Sequence, residues 1–179
     1  MESEQKEELI WFAMRATYRR EMIAKRALET HGVESFVPMR YELKIEGGRR
    51  KRRLVPAIHN LIFVHAEPKQ LQAIKTRLSY LQYMIRKGGE KILVPDADMR
   101  RFMAVTESLD EELTYYNPEE LHLEKGQRVK IHGGPCDGQE GVLVKLPGFR
   151  SRRVVVEIEG VMAVALASVK PEQLELVES

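Results

Sequence analysis

The chain has 179 residues, 43% hydrophobic and 31% charged, with a net charge of +2, which suits a folded globular protein of one large or two small domains and excludes a disordered one. No apolar run approaches the ~20 residues that cross a bilayer, and the polar, acidic opening MESEQKEELI is not expected to be a secretory signal. Cys136 is the only cysteine, so an internal disulfide is excluded and a reducing, cytoplasmic setting is expected.

Taken in order, Leu9 to Met14 is a compact apolar run with aromatic weight and predicts a buried strand. Arg15 to Arg20 is basic, then Ile23, Ala24, Ala27 and Leu28 recur at helical spacing up to a stop at Gly32. Val37, Met39, Tyr41, Leu43 and Ile45 alternate with Arg40, Glu42 and Lys44, which predicts a half-buried strand. Glu46-Gly47-Gly48 makes a turn, and the five cations Arg49 to Arg53 read as a long hairpin tip. Pro56 leads into a strand at Leu61–Val64, and Pro68 opens a helix carrying Leu71, Ile74 and Leu78 on one face. Short strands follow at Leu81–Ile85 and Ile92–Val94, then a helix capped by Pro95 to Asp98 and bearing Met99, Phe102 and Met103.

This β-α-β-β-α-β alternation with a trailing helix predicts an α+β, ferredoxin-like (RRM-like) domain over residues 1–110. Residues 111–122, EELTYYNPEELH, hold four acids and no Lys or Arg and read as an acidic linker. From 123 to 179 no helical period survives; short strands near Val129, Val142, Val154, Val161 and Leu174 predict a small all-β, SH3-like barrel. Charge divides unevenly. Residues 1–110 carry 21 Lys/Arg against 15 Asp/Glu, whereas residues 123–179 carry eight of each, so a polyanion is expected on the first domain.

The stretch KGQRVKIHGGPCDGQEGVLVKL, Lys125 to Leu146, places two apolar strands around a glycine-dense turn. It resembles the KOW motif of NusG-type transcription elongation factors and of several ribosomal proteins. Trp11-Phe12 on the first strand and Phe36-Val37-Pro38 after the first helix are similar to the N-terminal domain of the NusG family. In IHNLIFV, residues 58–64, His59 stands for the family's proline and Leu61 for its tyrosine, while Asn60 matches an Asn variant similar to the specialised, operon-specific antitermination paralogues.

The resemblance implies binding without catalysis. An apolar depression would receive the clamp helices of the largest subunit of RNA polymerase, and by position Ile58, Leu61, Phe63 and Met84 would line it. Exposed aliphatics ringed by charge can serve as a hot spot, although alternate strand residues also face a core. The turn Ile158, Glu159, Gly160, Val161, Met162 matches the KOW site for a second partner, either Rho or a small-subunit ribosomal protein. Glu159 stands where the general factor has a Phe, which disfavours Rho.

Two basic clusters could meet non-template DNA or nascent RNA through phosphate attraction. The first is Arg15, Arg19 and Arg20 with Lys25 and Arg26, among which Tyr18 could stack on a splayed base; the second is Arg49, Arg50, Lys51, Arg52 and Arg53. The first could equally be a solvated helix face, and the alternative for the second is a mobile, solvated hairpin tip. Gly133 to Gly138 has phosphate-loop spacing, but Gln139 and Glu140 replace the Lys and Ser/Thr such a loop needs. The five histidines lack ligand spacing, Cys136 reads as a surface thiol without an adjacent base, and no acid pair suggests general acid–base work. No enzyme, metal, cofactor or membrane partner is expected, and the chain is expected to act as a monomer. The expected function is antitermination at specific operons; the alternatives are a general elongation factor coupled to Rho or the ribosome, and a ribosome-associated RNA-binding protein.

Overall fold

The computed structural model describes residues 8–107, 113–166 and 169–178. Two compact units emerge, one from residues up to 38 together with 58–96, the other from 39–57 together with 97 onward. In the first unit β1 (Ile10–Ala16) runs into α1 (Glu21–Thr30) and β2 (Glu34–Phe36). β3 (Met39–Glu46) and β4 (Arg49–Pro56) belong to the second unit, and the first resumes with β5 (Leu61–Ala66), α2 (Pro68–Lys75), β6 (Leu81–Tyr83) and β7 (Leu93–Val94).

The first sheet is ordered β2-β5-β1-β6, with β7 pairing β1 beyond β6, and its named pairings are antiparallel. Trp11, Phe12, Ala13 and Met14 are all buried, so β1 is a central strand covered on both faces, as its unbroken apolar run predicts. Ala24 and Leu28 of α1 and Leu71 and Ile74 of α2 are buried at helical spacing. Leu78 lies past the end of α2 rather than on it.

The second unit contains the β3–β4 hairpin as a separate two-stranded sheet, then α3 (Asp96–Glu107) apart from its first residue, and β8 (Thr114–Tyr116). β9 (Gln127–Ile131), β10 (Glu140–Val144), β11 (Arg153–Ile158), β12 (Met162–Leu166) and β13 (Leu174–Leu176) complete it. A six-stranded antiparallel sheet runs β13-β9-β10-β11-β12-β8. Thr114–Tyr116, in the stretch read as linker, thus forms a strand on the edge of this sheet. Leu121, Leu123, Val144, Leu146, Val155, Ala163 and Ala165 form its core. Gly141 permits the closest approach of β10 to β11: a Cβ there would lie 2.7 Å from Val154 Cγ1 and 2.8 Å from the Val155 carbonyl oxygen.

Two expectations about the hairpin fail. Arg49 to Arg53 do not form a tip, because the turn closes tightly on Gly47 and Gly48 alone, with φ of +57° and +73°. Positive φ at both central residues is the geometry of a two-residue hairpin turn whose twist matches its strands, so pairing begins at once, Glu46 opposite Arg49. Nor is β3 half-buried, since Leu43 is 67% and Ile45 76% exposed. A two-stranded sheet has no third layer to cover its apolar face. Val161 also departs from the expected strand; it sits in the turn before β12.

Candidate nucleic-acid interface

Four residues join β1 to α1, and they turn sharply. Tyr18 and Arg19 both adopt left-handed backbone, φ +58° and +54°, as does Asn60 at +67°. Asn tolerates that region better than Tyr or Arg, and each non-glycine residue there costs about 1–3 kcal/mol. The corner persists because its polar groups are met from several sides. The Ala16 amide donates to the Asn60 carbonyl at 2.8 Å and the Thr17 amide to the Tyr80 carbonyl at 2.9 Å. The Arg19 amide donates to Asn60 Oδ1 at 2.7 Å, while the Asn60 amide donates to Glu21 Oε2 at 3.3 Å. Glu21 is only 2% exposed at the first position of α1, where the helix dipole favours a carboxylate.

This strained, braced corner displays Tyr18, Arg19 and Arg20 outward. Tyr18 is 84% exposed, and the Arg20 guanidinium lies 5.7 Å from the Tyr18 ring and 5.3 Å from the Tyr80 ring. Arg20 between two aromatic rings is a cation–π arrangement that holds a flat surface beside a positive charge. Arg15, expected with this cluster, is exposed but lies on β1, opposite Leu61 and Gln82. Tyr80 and Asn60 were invisible as partners in the sequence, because each reaches the corner from another element.

The second cationic cluster is divided by the hairpin register. Arg49, Lys51 and Arg53 stand opposite Glu46, Lys44 and Glu42 on one face. Arg50 and Arg52 stand opposite Ile45 and Leu43 on the other face, with Tyr41 and Leu54. On the charged face Glu46 meets Arg53 at 3.3 Å and Lys51 at 3.7 Å, exposed pairs of little energetic weight. Lys44 directly opposes Lys51, a like-charge pair that an approaching anion would relieve. On the apolar face Arg52 covers the Tyr41 ring at 4.3 Å.

Of the residues expected to line an apolar depression, Leu61 and Phe63 are buried, and Ile58 and Met84 are half-buried. Phe63 pairs with Ala13, and the Met84 amide donates to the Ala13 carbonyl at 3.0 Å, so these three share a row on one face. Ile58 precedes Asn60 by two residues, which sets the turn bearing it directly against the Tyr18–Arg19 corner. In the six-stranded sheet Ile158 and Met162 form the last pair of β11 and β12 and are buried, Val161 is half-buried and Glu159 exposed.

The Gly133–Gly138 loop binds itself. The Gly133 amide donates to Asp137 Oδ1 at 2.6 Å, the Gly138 amide to the Ile131 carbonyl at 2.7 Å, and Gln173 Nε2 to the His132 and Gly133 carbonyls, both at 3.2 Å. His132 pairs with Glu175. Cys136 is buried rather than a surface thiol, because the loop folds back over it. Among the described residues no cluster of three or more His, Cys, Asp or Glu is placed to hold a metal, and no helix is long and apolar enough to cross a membrane.

A family profile described as "Transcription termination factor nusG" matches residues 9–103, just over half of the chain, including the whole corner and its Asn60 brace. The chain belongs to the NusG family. Members of the NusG family are transcription factors rather than enzymes. No curated protein matches the sequence. Among solved structures, one described as "Domain interaction in Thermotoga maritima NusG" is 20% identical, covering 96% of this chain and 98% of that one at a TM-score of 0.48. A chain of the MjSpt4:Spt5 complex in conformation B is 14% identical, covering 94% of this chain and 97% of its own, at a TM-score of 0.28.

Proposed function

We propose that this NusG-family chain is a transcription elongation and antitermination factor, a specialised paralogue that binds RNA polymerase and suppresses pausing and termination at specific operons. It acts in the cytoplasm without cofactor or catalysis. Residues 1–110 serve as a ferredoxin-like, polymerase-binding domain, 111–122 as the connecting segment and 123–179 as an SH3-like KOW barrel. Residues 1–7, 108–112, 167–168 and 179 of this division lie outside the described residues.

The observation that carries the reading is the corner itself, a strained turn that spends favourable contacts to display Tyr18 and Arg20 in a family of transcription factors. A displayed aromatic beside guanidinium suits a splayed base of single-stranded non-template DNA or nascent RNA. Arg15 and Arg19 supply phosphate contacts there, and Arg49 to Arg53 a second, sequence-blind patch. Ile58 and Met84 touch the clamp helices of the polymerase, and Leu61 and Phe63, being buried, hold that surface rigid from beneath. On the KOW barrel Glu159 and Val161 offer side chains to a protein partner, such as a small-subunit ribosomal protein, while Ile158 and Met162 shape the turn.

Single-round transcription with purified RNA polymerase and a terminator tests the proposal. The full chain should raise read-through, and Ile58→Asp should abolish the gain without lowering the melting temperature. Unchanged read-through, or stronger Rho-dependent termination, overturns it.

A further inference from the structure

A second surface, opposite in charge to the corner, lies on the six-stranded sheet. Between the residues leading into β9 and those following β13 opens a cavity of about 1010 Å³. Its apolar floor comprises Leu121, Leu123 and Val142, continuous with the sheet's core, together with Leu176 and Val177. Leu176 is 65% exposed, an aliphatic left in water although it lies on a paired strand. Glu124, Glu157, Glu159 and Glu178 stand on the lining. The one lining cation, Arg128, directs its guanidinium to Glu140 at 3.2 Å, which itself is not part of the lining. Burial, and then the neighbouring charge of Glu159, raises the pKa of Glu157. Glu157 is thus held charged beside an apolar floor at a cost that an approaching cation would relieve.

We infer that this groove is a docking site for a basic amphipathic segment of a protein partner, its aliphatic side chains seated on Leu123, Val142 and Leu176 and its Lys or Arg residues paired with Glu157 and Glu159. Charge complementarity excludes a nucleic acid, whose phosphates would meet four carboxylates. Size argues against a metabolite: the volume of about 1010 Å³ sits at the upper limit of small-molecule pockets, and four of the five charged lining residues are carboxylates. The apolar floor supplies affinity, and the acidic lining selects the partner and speeds its arrival. The assignment rests on the reading that this sheet receives a protein partner, yet it fails separately from antitermination, which the corner and Ile58 carry.

Titration calorimetry of the full chain with three synthetic peptides decides it: alternating Leu/Lys, alternating Ser/Lys, and alternating Leu/Glu of equal length. The Leu/Lys peptide should bind with one-to-one stoichiometry, the Ser/Lys peptide at least tenfold more weakly and the Leu/Glu peptide not at all. Glu157→Gln/Glu159→Gln should weaken Leu/Lys binding about tenfold, and Leu176→Ser about fivefold, both at unchanged melting temperature. Acidification through the raised titration of Glu157 should weaken binding in the parent. The other groups facing the groove are Glu124, Glu159, Glu178 and Arg128, so Glu157→Gln should flatten the upper part of that pH profile without removing the rest. Equal affinity for Ser/Lys and Leu/Lys, or parental affinity in both variants, overturns the proposal. A parent chain that raises read-through yet does not bind the Leu/Lys peptide would sink this inference alone.

Discussion

The two cationic regions carry similar side chains on opposite kinds of scaffold. The Tyr18–Arg20 corner is strained but braced by the carbonyls and side chains of Asn60, Tyr80 and Glu21. The β3–β4 hairpin is unstrained and paired from its first residue, yet it forms only a two-stranded sheet with Leu43 and Ile45 in water. Charge density alone would rank the hairpin first. Rigidity ranks the corner first, because a preorganised surface loses little entropy when a ligand arrives. Under the proposed function the corner would choose a base and the hairpin would hold phosphates of any sequence.

Removing the brace should have the largest effect. Asn60→Ala loses the acceptor for the Arg19 amide and replaces a residue that tolerates left-handed backbone by one that does not, so it should cost about 2–3 kcal/mol of stability, read by thermal melting. Parental melting would mean that the corner needs no brace. Next, Tyr18→Ala should cost about 2 kcal/mol in single-stranded nucleic-acid affinity, or roughly 30-fold, with the salt dependence unchanged. A changed salt slope would make Tyr18 an indirect electrostatic player rather than a stacking surface.

The hairpin should respond the other way. Replacing Arg49, Lys51 and Arg53 by Ala should lower the slope of log affinity against log salt by about 2, with affinity near physiological salt falling roughly tenfold and melting unmoved. A slope equal to the parent's would remove the hairpin from the interface. Arg19→Gly should separate strain from charge at the corner, raising stability by about 1 kcal/mol while weakening nucleic-acid binding a few-fold.

The smallest effect belongs to the root of the hairpin. There the Tyr115 hydroxyl donates to the Met39 carbonyl at 3.4 Å. Burial pushes the Tyr115 pKa from 10.0 up to about 12, against a lowering pull from Arg40. Because the folded value lies above the unfolded one, the stability it contributes is present below pH 10 and is lost as pH rises towards 12. Tyr115→Phe should remove that alkaline loss and cost at most about 1 kcal/mol at neutral pH, as followed by denaturant unfolding at several pH values. An unaltered alkaline profile would show that Tyr115 does not titrate with unfolding.

Much of the scaffold was legible because periodicity is a local property. β1, α1, β5 and α2 appear near their expected places since their apolar residues recur at the spacing of the element they form. β4 was not legible: a run of five cations carries no apolar rhythm, and only the two-residue glycine turn reveals that pairing starts at Arg49. Cys136 misled for the same reason, since nothing near it in sequence shows that the loop closes over its thiol.

By itself the sequence determined the kind of elements, their order, the uneven charge, and the resemblance to a family through Trp11-Phe12, Asn60 and the Lys125–Leu146 stretch. Only the tertiary structure decided which side chains act together. Asn60 braces Tyr18–Arg19 from about forty residues away, Arg20 finds Tyr80, and Leu121 and Leu176 line one groove with Glu157 and Glu159. Local sequence sets backbone preferences within a few residues, whereas a surface that binds is assembled from strands whose register is fixed by packing across the whole sheet.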